Sequence, residues 1–449
     1  MNFLDKLVIP LSPEHLLLLH YIAIFIFFLF VPFISIILGG TALSLYYKRK
    51  GIKNDDKIQL RFAKDVMEIV TINKSTGIVL GILTLITSIL IYIQLFHEAN
   101  MSTVNYLSGA VILIIIGLIL VYTYRYSLTF GDLFDSVKES ENADKAVADE
   151  LDKFKQGSKI LSRKSGRYGI IFLILGTWLF TAGVTLAAYP ADWNNNSFLS
   201  VMFSGDVILR FIPFLLMAAA FTGATVLFIN FNWDGGKENL SPEYKDLIKT
   251  AGVRWVLFGS VFLPLFLLIN LLTLPNNALS YSVFVYSTVA LLLLFLVYHY
   301  LYAMYKNSET RYGTHIFFVV LFSIFAIIIK DQLAMGNATR QQTMKLAANF
   351  EQTMQKLTNS GSKATAKISG KEIYENICSA CHSFDHKVVG PPYEQTLPKY
   401  KGNVDKLVTF ILNPTQNNPG YPIMPNPGLN REQAHAVATY ILKEVKKYE

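Results

Sequence analysis

The chain contains two cysteines, Cys378 and Cys381, and His382 directly follows the second of them. This Cys-x-x-Cys-His spacing is the attachment pattern of c-type haem. The two thiols add across the vinyl groups of the haem, and the helical spacing places the imidazole beneath the iron as an axial ligand. The residues therefore predict one covalent haem c on Cys378 and Cys381, with His382 bound to the iron.

Two other chemistries use a Cys-x-x-Cys pair. A zinc site needs two further ligands at suitable spacing, and the sequence has no second cysteine pair. A thioredoxin-like dithiol needs a βαβ pattern around the motif, and the surrounding sequence lacks that pattern. Haem attachment is therefore the favoured interpretation.

The segments around the motif follow the order of the class I cytochrome c fold. They are a helical pattern at Gly370–Ser383, a Gly-Pro-Pro turn at Gly390–Pro392, a short apolar helix at Val404–Leu412, a proline-flanked loop at Tyr421–Pro425, and a helix with apolar positions at helical spacing at Arg431–Lys447. Residues 369–449 thus resemble a class I cytochrome c. This resemblance implies a compact all-α domain that carries electrons.

The same resemblance implies that Met424, in the proline-flanked loop, is the distal ligand of the iron. A His–Met ligand pair raises the reduction potential, because the thioether stabilises ferrous iron. The other interpretation of Met424 is a packed core methionine. His386 and His435 are alternative distal ligands, although His386 is expected on the surface and His435 within the last helix.

The rest of the chain has the composition of a membrane protein. Of its 449 residues, 52% are hydrophobic and 16% are charged, whereas soluble domains are about a quarter charged. About 20 apolar residues span a bilayer. Eight runs are of suitable length, at Leu16–Tyr46, Ile72–Phe96, Tyr106–Tyr126, Tyr168–Tyr189, Val207–Phe231, Val253–Leu274, Tyr281–Tyr305 and Thr314–Leu333.

Basic residues predict the orientation of these spans. Lysine and arginine are abundant in the first, third and fifth connections, and the seventh has Lys306 and Arg311. The loops His97–Asn105, Pro190–Asp206 and Pro275–Ser280 have none. The positive-inside rule makes the odd-numbered loops cytoplasmic. Both termini and the haem domain are then periplasmic, on a bacterial inner membrane. This topology also explains the net charge of +8, so nucleic acid is not an expected partner.

The predicted fold is all-α: a polytopic membrane bundle of about eight spans plus a C-terminal class I cytochrome c domain. Its predicted divisions are the bundle at residues 1–334, a stalk and linker at 335–369, and the haem domain at 370–449. Within the middle segment, the sequence predicts a polar helix at Met335–Thr358 and a flexible linker at Asn359–Gly370. The loop Gly131–Arg167 is expected to form a cytoplasmic amphipathic helix.

The positions of the histidines indicate which haem chemistry the bundle could support. A di-haem cytochrome b bundle needs paired histidines on two helices, and a haem–copper oxidase needs six ligand histidines; the spans satisfy neither requirement. His20 precedes Phe28-Leu29-Phe30-Val31-Pro32. This pattern resembles the first helix of subunit I of cytochrome bd oxidase, in which a histidine ligates a high-spin haem b.

The resemblance to cytochrome bd covers about the first 230 residues. Segments Asn73–Gly81 and Ser197–Leu227 are similar to the second and fifth helices of that family. The resemblance implies that His20 is a candidate haem b ligand. The other interpretation of His20 is an interfacial histidine. Three departures matter: Pro213 stands at the low-spin haem ligand position, the paired glutamates of helix three are missing, and no quinol loop separates helices six and seven. The chain thus resembles a divergent relative with a cytochrome c extension.

Two functions from different classes follow. The first is the haem c-bearing subunit of a bd-like oxygen reductase, working with other membrane subunits and an outer-side redox partner such as a soluble cytochrome. The second is a non-catalytic membrane cytochrome that relays electrons between an outer-side donor and another respiratory complex. A reductase of nitric oxide or another small gas is a third hypothesis. The residues leave the choice open.

Overall fold

A computed structural model describes residues 11–97, 99, 101–138, 145–193, 197–237, 240–307, 310–364, 369–416 and 419–448. The chain divides into two compact units, Met1–Ala348 and Asn349–Glu449. Across the described ranges the regular secondary structure is helical. Together with eight helices that could span a membrane, this confirms the predicted all-α fold class.

Eight helices of the first unit are long and apolar enough to cross a membrane, so the chain is a multi-pass membrane protein. The helices of this unit are α1 (Pro13–Asn54), α2 (Lys57–Val70), α3 (Lys74–Phe96), α4 (Met101–Lys138), α5 (Lys145–Ala187), α6 (Gly205–Phe231), α7 (Pro242–Thr273), α8 (Tyr281–Asn307) and α9 (Tyr312–Ala338). All of them except the short α2 contain a candidate span.

Helix α1 shows how local chemistry sets the ends of a span. The Ser12 side chain caps the N-terminus by accepting from the His15 backbone N–H, and Pro13 occupies the first turn, where no intrahelical N–H is needed. The helix ends where Asp55 adopts a left-handed conformation with φ of 49°. It therefore extends beyond both ends of the predicted run Leu16–Tyr46.

Two spans differ from the expected pattern. Helix α7 is interrupted between Ser260 and Leu263, next to Pro264, which lacks an N–H for the helical ladder. Helix α3 contains a π-helical stretch at Gly77–Leu83.

The prediction of a separate amphipathic helix at Gly131–Arg167 is wrong. Residues 131–138 are the end of α4, residues 145–167 are the start of α5, and residues 139–144 lie outside the described part of the chain. These polar segments continue apolar spans, and the two helices α4 and α5 pack against each other. A hydropathy pattern cannot show this, because the helices continue where the apolar run stops.

The bundle packs around α1, which contacts α2, α3, α5, α6 and α9. Gly39 marks the closest approach of α1 to α6. A Cβ at this position would lie 2.4 Å from the Ala218 carbonyl oxygen and 2.3 Å from Thr222 Oγ1. Small residues at such crossings let membrane helices approach closely.

Helix α10 (Arg340–Ala364) follows the last span. The prediction of a flexible linker at Asn359–Gly370 is wrong for its first residues, because α10 continues to Ala364. Residues 365–368 lie outside the described part of the chain. The predicted boundary after residue 334 falls inside α9. The domain limits 1–334, 335–369 and 370–449 themselves stay a prediction.

The second unit contains four further helices around its own core. They are α11 (Gly370–Ile373), which continues into a π-helical turn at Tyr374–Cys378, α12 (Tyr393–Thr396), α13 (Val404–Leu412) and α14 (Arg431–Glu444), the last extended by a 3₁₀ turn at Val445–Lys447. The predicted helix at Val404–Leu412 is confirmed to the residue. Helix α13 packs against α14 through buried apolar residues, among them Leu407, Ile411, Val437 and Ile441.

Candidate functional site

The Cys-x-x-Cys-His segment is held by the end of one short helix. Ser369 and Glu372 form a reciprocal capping box at the start of α11, which fixes where the helix begins. At the other end, the backbone N–H groups of Cys381 and His382 both donate to the Cys378 carbonyl, at 3.1 and 3.0 Å. This tight turn brings the two thiols and the imidazole to one wall of a cavity.

The orientation of the His382 imidazole is set by the following turn. Its Nδ1 lies 3.0 Å from the Pro391 carbonyl oxygen. Since a carbonyl only accepts, Nδ1 must carry the proton and donate, which leaves the Nε2 lone pair free for a metal ion. The backbone N–H of Gly390 also donates to the Cys381 carbonyl, at 2.8 Å, and folds this turn back over the motif.

Gly390 is required by close approach rather than by an unusual φ. A Cβ at this position would lie 2.3 Å from Cε1 and 2.7 Å from Nδ1 of His382. Real Cβ contacts are not that short, so any larger residue must displace the imidazole or the turn.

Tyr393 completes the support of the imidazole. Its ring is stacked on that of His382, with centroids 5.1 Å apart and an interplanar angle of 11°. The Tyr393 backbone N–H donates to the Ser383 carbonyl at 3.0 Å, and the side chain is buried. Burial raises the pKa of the Tyr393 hydroxyl well above its usual value, so the hydroxyl is neutral.

The motif opens onto a largely apolar cavity of about 220 Å³. Both thiols and His382 line one part of it, and the loop with Met424 contributes to the lining as well. Apolar side chains from α13 and α14 complete the walls, among them Leu407, Phe410, Ile411 and Ile441. A thioether and an imidazole facing one apolar cavity are suited to hold a hydrophobic iron porphyrin.

The two thiols lie in a partly buried setting. Burial raises the pKa of the Cys378 thiol, and a hydrogen bond with Tyr393 partly offsets this effect. Before modification, Cys378 is therefore a neutral thiol at neutral pH and a weak nucleophile.

The two alternative distal ligands lie elsewhere. His386 is exposed, with Nδ1 2.7 Å from Asp385 Oδ1 and 3.1 Å from Ser383 Oγ. His435 is exposed on α14, and neither histidine lines the cavity. The Ser383 hydrogen bond and the neighbouring His386 lower the pKa of the Asp385 carboxyl.

Comparison with known proteins agrees with this geometry. The sequence model of the family Cytochrome c matches residues 368–444. Cytochrome c-551 of Azotobacter vinelandii is 33% identical to this chain over 79 residues, which cover 95% of that protein and 16% of this chain. The chain belongs to the cytochrome c family. The family match lies within the second unit, so the membership rests on this domain.

Membership in the cytochrome c family implies a covalent haem c and a role in electron transfer. The residues present fit that group: two adjacent thiols, an imidazole with a free Nε2 and an apolar cavity. When bound, the haem supplies a centre that accepts and releases one electron. The roles of Cys378, Cys381, His382 and Met424 as individual attachment points and ligands stay a prediction.

In the bundle, the structure places His20 on α1, half-buried beside α9. Its Nδ1 and Cε1 lie 3.9 Å from the position that a Cβ on Gly336 would take. His15 is exposed, and its backbone N–H is used in the cap of α1. Pro213 lies inside α6 and lines a cavity between the spans.

Three features of these sites escaped sequence reasoning. The stacking of Tyr393 on His382 and the contact of the Pro391 carbonyl with His382 depend on tertiary folding, so no local sequence pattern predicts them. Charged residues in the apolar spans, Arg210 and Lys330 in particular, could have been noticed, because charges inside a membrane are rare and usually functional.

Proposed function

We propose that the chain is a membrane-anchored electron carrier in which haem c is attached to Cys378 and Cys381 and ligated by His382 and Met424. The observation that carries the proposal is the shared cavity, since all four side chains line it. The rivals His386 and His435 do not, and this favours Met424 as the second axial ligand.

The protein's own residues would tune this carrier. The Pro391 carbonyl, as acceptor from Nδ1, increases the electron donation of the imidazole and fixes its rotation. The parallel ring of Tyr393 prevents the imidazole from tilting. The apolar walls exclude water and favour the less charged, ferrous state, as a thioether ligand also does.

Electron exchange would take place at the rim of the cavity. Three apolar side chains that line the cavity are also solvent-exposed there: Ile377, Val389 and Ile423. The Lys387 ammonium lies 4.8 Å from the ring centroid of Tyr421, another lining residue. An apolar contact with a positive margin fits a small redox partner with an acidic surface, such as a soluble cytochrome.

The partner would meet this domain outside the cytoplasm. The distribution of lysine and arginine favours a bacterial inner membrane with both termini on the periplasmic side. Electrons would then pass between that partner and other membrane subunits of a respiratory complex. If the rim steers the partner electrostatically, K387E should slow electron exchange at low ionic strength and have little effect at high ionic strength.

The finer form of the proposal is the haem c subunit of a cytochrome bd-like oxygen reductase with a haem b on His20. Its support is the His20–Pro32 pattern and the half-buried imidazole beside Gly336, where the missing Cβ leaves space. Pro213 cannot ligate iron, so a second haem ligand at that position is not part of the proposal. The alternative is a relay cytochrome with haem c alone.

Pyridine-haemochrome spectra of the purified chain distinguish the two forms. The reductase form predicts haem b beside haem c in these spectra and, in spectra of the folded and reduced chain, a high-spin component that binds carbon monoxide. H20A should remove that component while H15A, on the exposed side of the same helix, retains it. A spectrum of haem c alone would reject the reductase form and leave the relay.

A further inference from the structure

An intramembrane cavity of about 160 Å³ lies between five spans of the bundle. Its walls are mostly apolar and come from α1, α5, α6, α7 and α9, including Phe27, Val184, Phe214, Leu267 and Ile328. Charged and polar groups also line it: Arg210 of α6, Asn270 of α7, and the run Lys330-Asp331-Gln332 of α9. None of these residues belongs to the haem c site.

Lys330 is an unusual residue for this place. Its side chain is 2% exposed, and its Nζ donates to Asn270 Oδ1 at 2.6 Å and pairs with Asp331 Oδ1 at 2.7 Å. A buried ammonium inside a membrane helix carries a large cost unless it is paired. Among the described residues, Asp331 is the one carboxylate that lines the cavity, and it is already paired with Lys330.

Arg210 is the second cation, and its hydrogen-bonding capacity is largely unused. Its guanidinium lies 5.6 Å from the ring centroid of Tyr189. Nε and Nη2 are shielded from solvent and have no hydrogen-bond partner in the described structure. Two further buried atoms of lining residues, Thr185 Oγ1 and Gln332 Oε1, are also without a partner.

These observations give the cavity one uncompensated positive charge and several unmet hydrogen bonds. Two cations and one carboxylate line it, and buried polar atoms are normally satisfied. An anion with acceptor oxygens would compensate the charge and accept hydrogen bonds from Arg210 Nε and Nη2 and from the Thr185 hydroxyl, whereas Gln332 Oε1 is itself an acceptor and needs a donor. A guanidinium binds a carboxylate in a matched two-point geometry. The apolar walls require that the rest of the molecule be hydrophobic.

We propose that this cavity binds the carboxylate of a hydrophobic molecule, with Arg210 as the anchoring residue and Lys330 as a second positive charge. The volume is close to the roughly 150 Å³ of a cavity that holds a benzene ring. It therefore takes the acid head and the adjoining carbons, and the remainder extends beyond it. A fatty acid and the propionate edge of a porphyrin share this chemistry. The inference does not depend on the proposed haem c function.

The first test uses the full-length chain in nanodiscs and a palmitate analogue with a photoreactive diazirine near the carboxylate. Labelled peptides should come from α6 or α9. R210Q should lower the labelling about tenfold or more, the loss expected for one charge-assisted hydrogen bond. R210K should retain most of it. R254Q removes the same charge from an exposed position of α7 and should leave the labelling unchanged.

A second measurement covers the case in which R210Q does not fold, as judged by its thermal unfolding profile. On the unaltered chain, free palmitate should compete with the probe at least tenfold better than its methyl ester, because only the acid carries the charge. Equal competition by the ester, or labelling that R210Q leaves intact in a folded protein, would overturn the proposal.

The source of the natural ligand is settled by extraction of the chain purified from its native host. A fatty acid at about one per chain, lost from R210Q, would assign a lipid. Haem b that is lost from R210Q but kept in R254Q would assign a porphyrin propionate. Absence of both in the unaltered chain, together with a cavity that the palmitate probe does not label, would show that water alone fills it and would reject the site.

Discussion

The ring of Tyr393 lies parallel to the imidazole of His382, with an interplanar angle of 11° and centroids 5.1 Å apart. The imidazole is thus held on two sides, by this ring and by the Pro391 carbonyl 3.0 Å from Nδ1. The plane of an axial histidine influences the electronic structure of haem iron, so a residue that fixes the plane also tunes the potential.

Tyr393→Leu should alter the haem spectrum without preventing attachment. Loss of the stacked ring removes about 0.5–1.5 kcal/mol of aromatic interaction and lets the imidazole rotate. We expect a broadened ferric EPR signal and a shifted midpoint potential. Tyr393→Phe keeps the ring and should resemble the unaltered protein; equal effects in both variants would show that the hydroxyl, not the stacking, matters.

Gly390→Ala should damage the proximal side directly. The added Cβ would meet His382 at 2.3 Å, and relief of such overpacking typically costs about 1–3 kcal/mol. We expect a lower unfolding temperature of the haem domain and a partly high-spin spectrum. Gly402→Ala is the control: Gly402 has φ of 80° but no atom within 4 Å of its Cβ position. That variant should lose stability and keep the normal spectrum.

Met424→Ala should lower the midpoint potential and open one coordination position, because the thioether stabilises ferrous iron. Redox titration and carbon monoxide binding to the reduced domain measure the two effects. His386→Ala serves as the matched control for the rival ligand. A loss of the low-spin spectrum in H386A, with M424A unchanged, would transfer the distal position to His386.

Asp385 gives the haem domain a pH-dependent stability. Because the hydrogen bond from Ser383 and the neighbouring His386 lower its carboxyl pKa, the folded state binds fewer protons than the unfolded state. The contribution is present above the unfolded pKa of about 3.9 and is lost as the pH falls through the folded value. Thermal unfolding followed at the Soret band should show this loss.

Variants of Asp385 and Ser383 test the direction of this pH dependence. D385N removes the carboxyl, and S383A removes the hydrogen bond that Ser383 Oγ donates to Asp385 Oδ1 at 2.8 Å. Both should lower the unfolding temperature modestly near pH 7 to 8, where the contribution is present, and flatten the acid side of the profile, so that the curves of variant and unaltered protein converge at low pH. An unaltered acid limb in both variants would contradict the assignment.

Much of the architecture could be predicted because its signals are local. The eight spans follow from apolar run length, and the helix at Val404–Leu412 follows from its own periodicity. The limits of the spans were less predictable. Helix α1 begins at a serine cap, and α4 and α5 continue as polar helices beyond the apolar runs, where hydropathy carries no information.

In the candidate sites, too, the local features could be predicted and the tertiary contacts could not. Cys378, Cys381 and His382 are adjacent in sequence, so their chemistry could be inferred from spacing. The contact of Pro391 with His382 and the stacking of Tyr393 are set by how the turn folds back, which spacing does not encode. The pairing of Lys330 with Asn270 joins residues sixty positions apart and appears only when the spans are packed.

Mass spectrometry of the protein matured in its native host shows directly whether haem c is attached to Cys378 and Cys381. We expect one tryptic peptide that contains both cysteines, carries the mass of a single haem on two thioether bonds, and absorbs at the haem wavelength. Recovery of that peptide with both thiols free, from protein that is otherwise folded and membrane-inserted, would contradict this attachment.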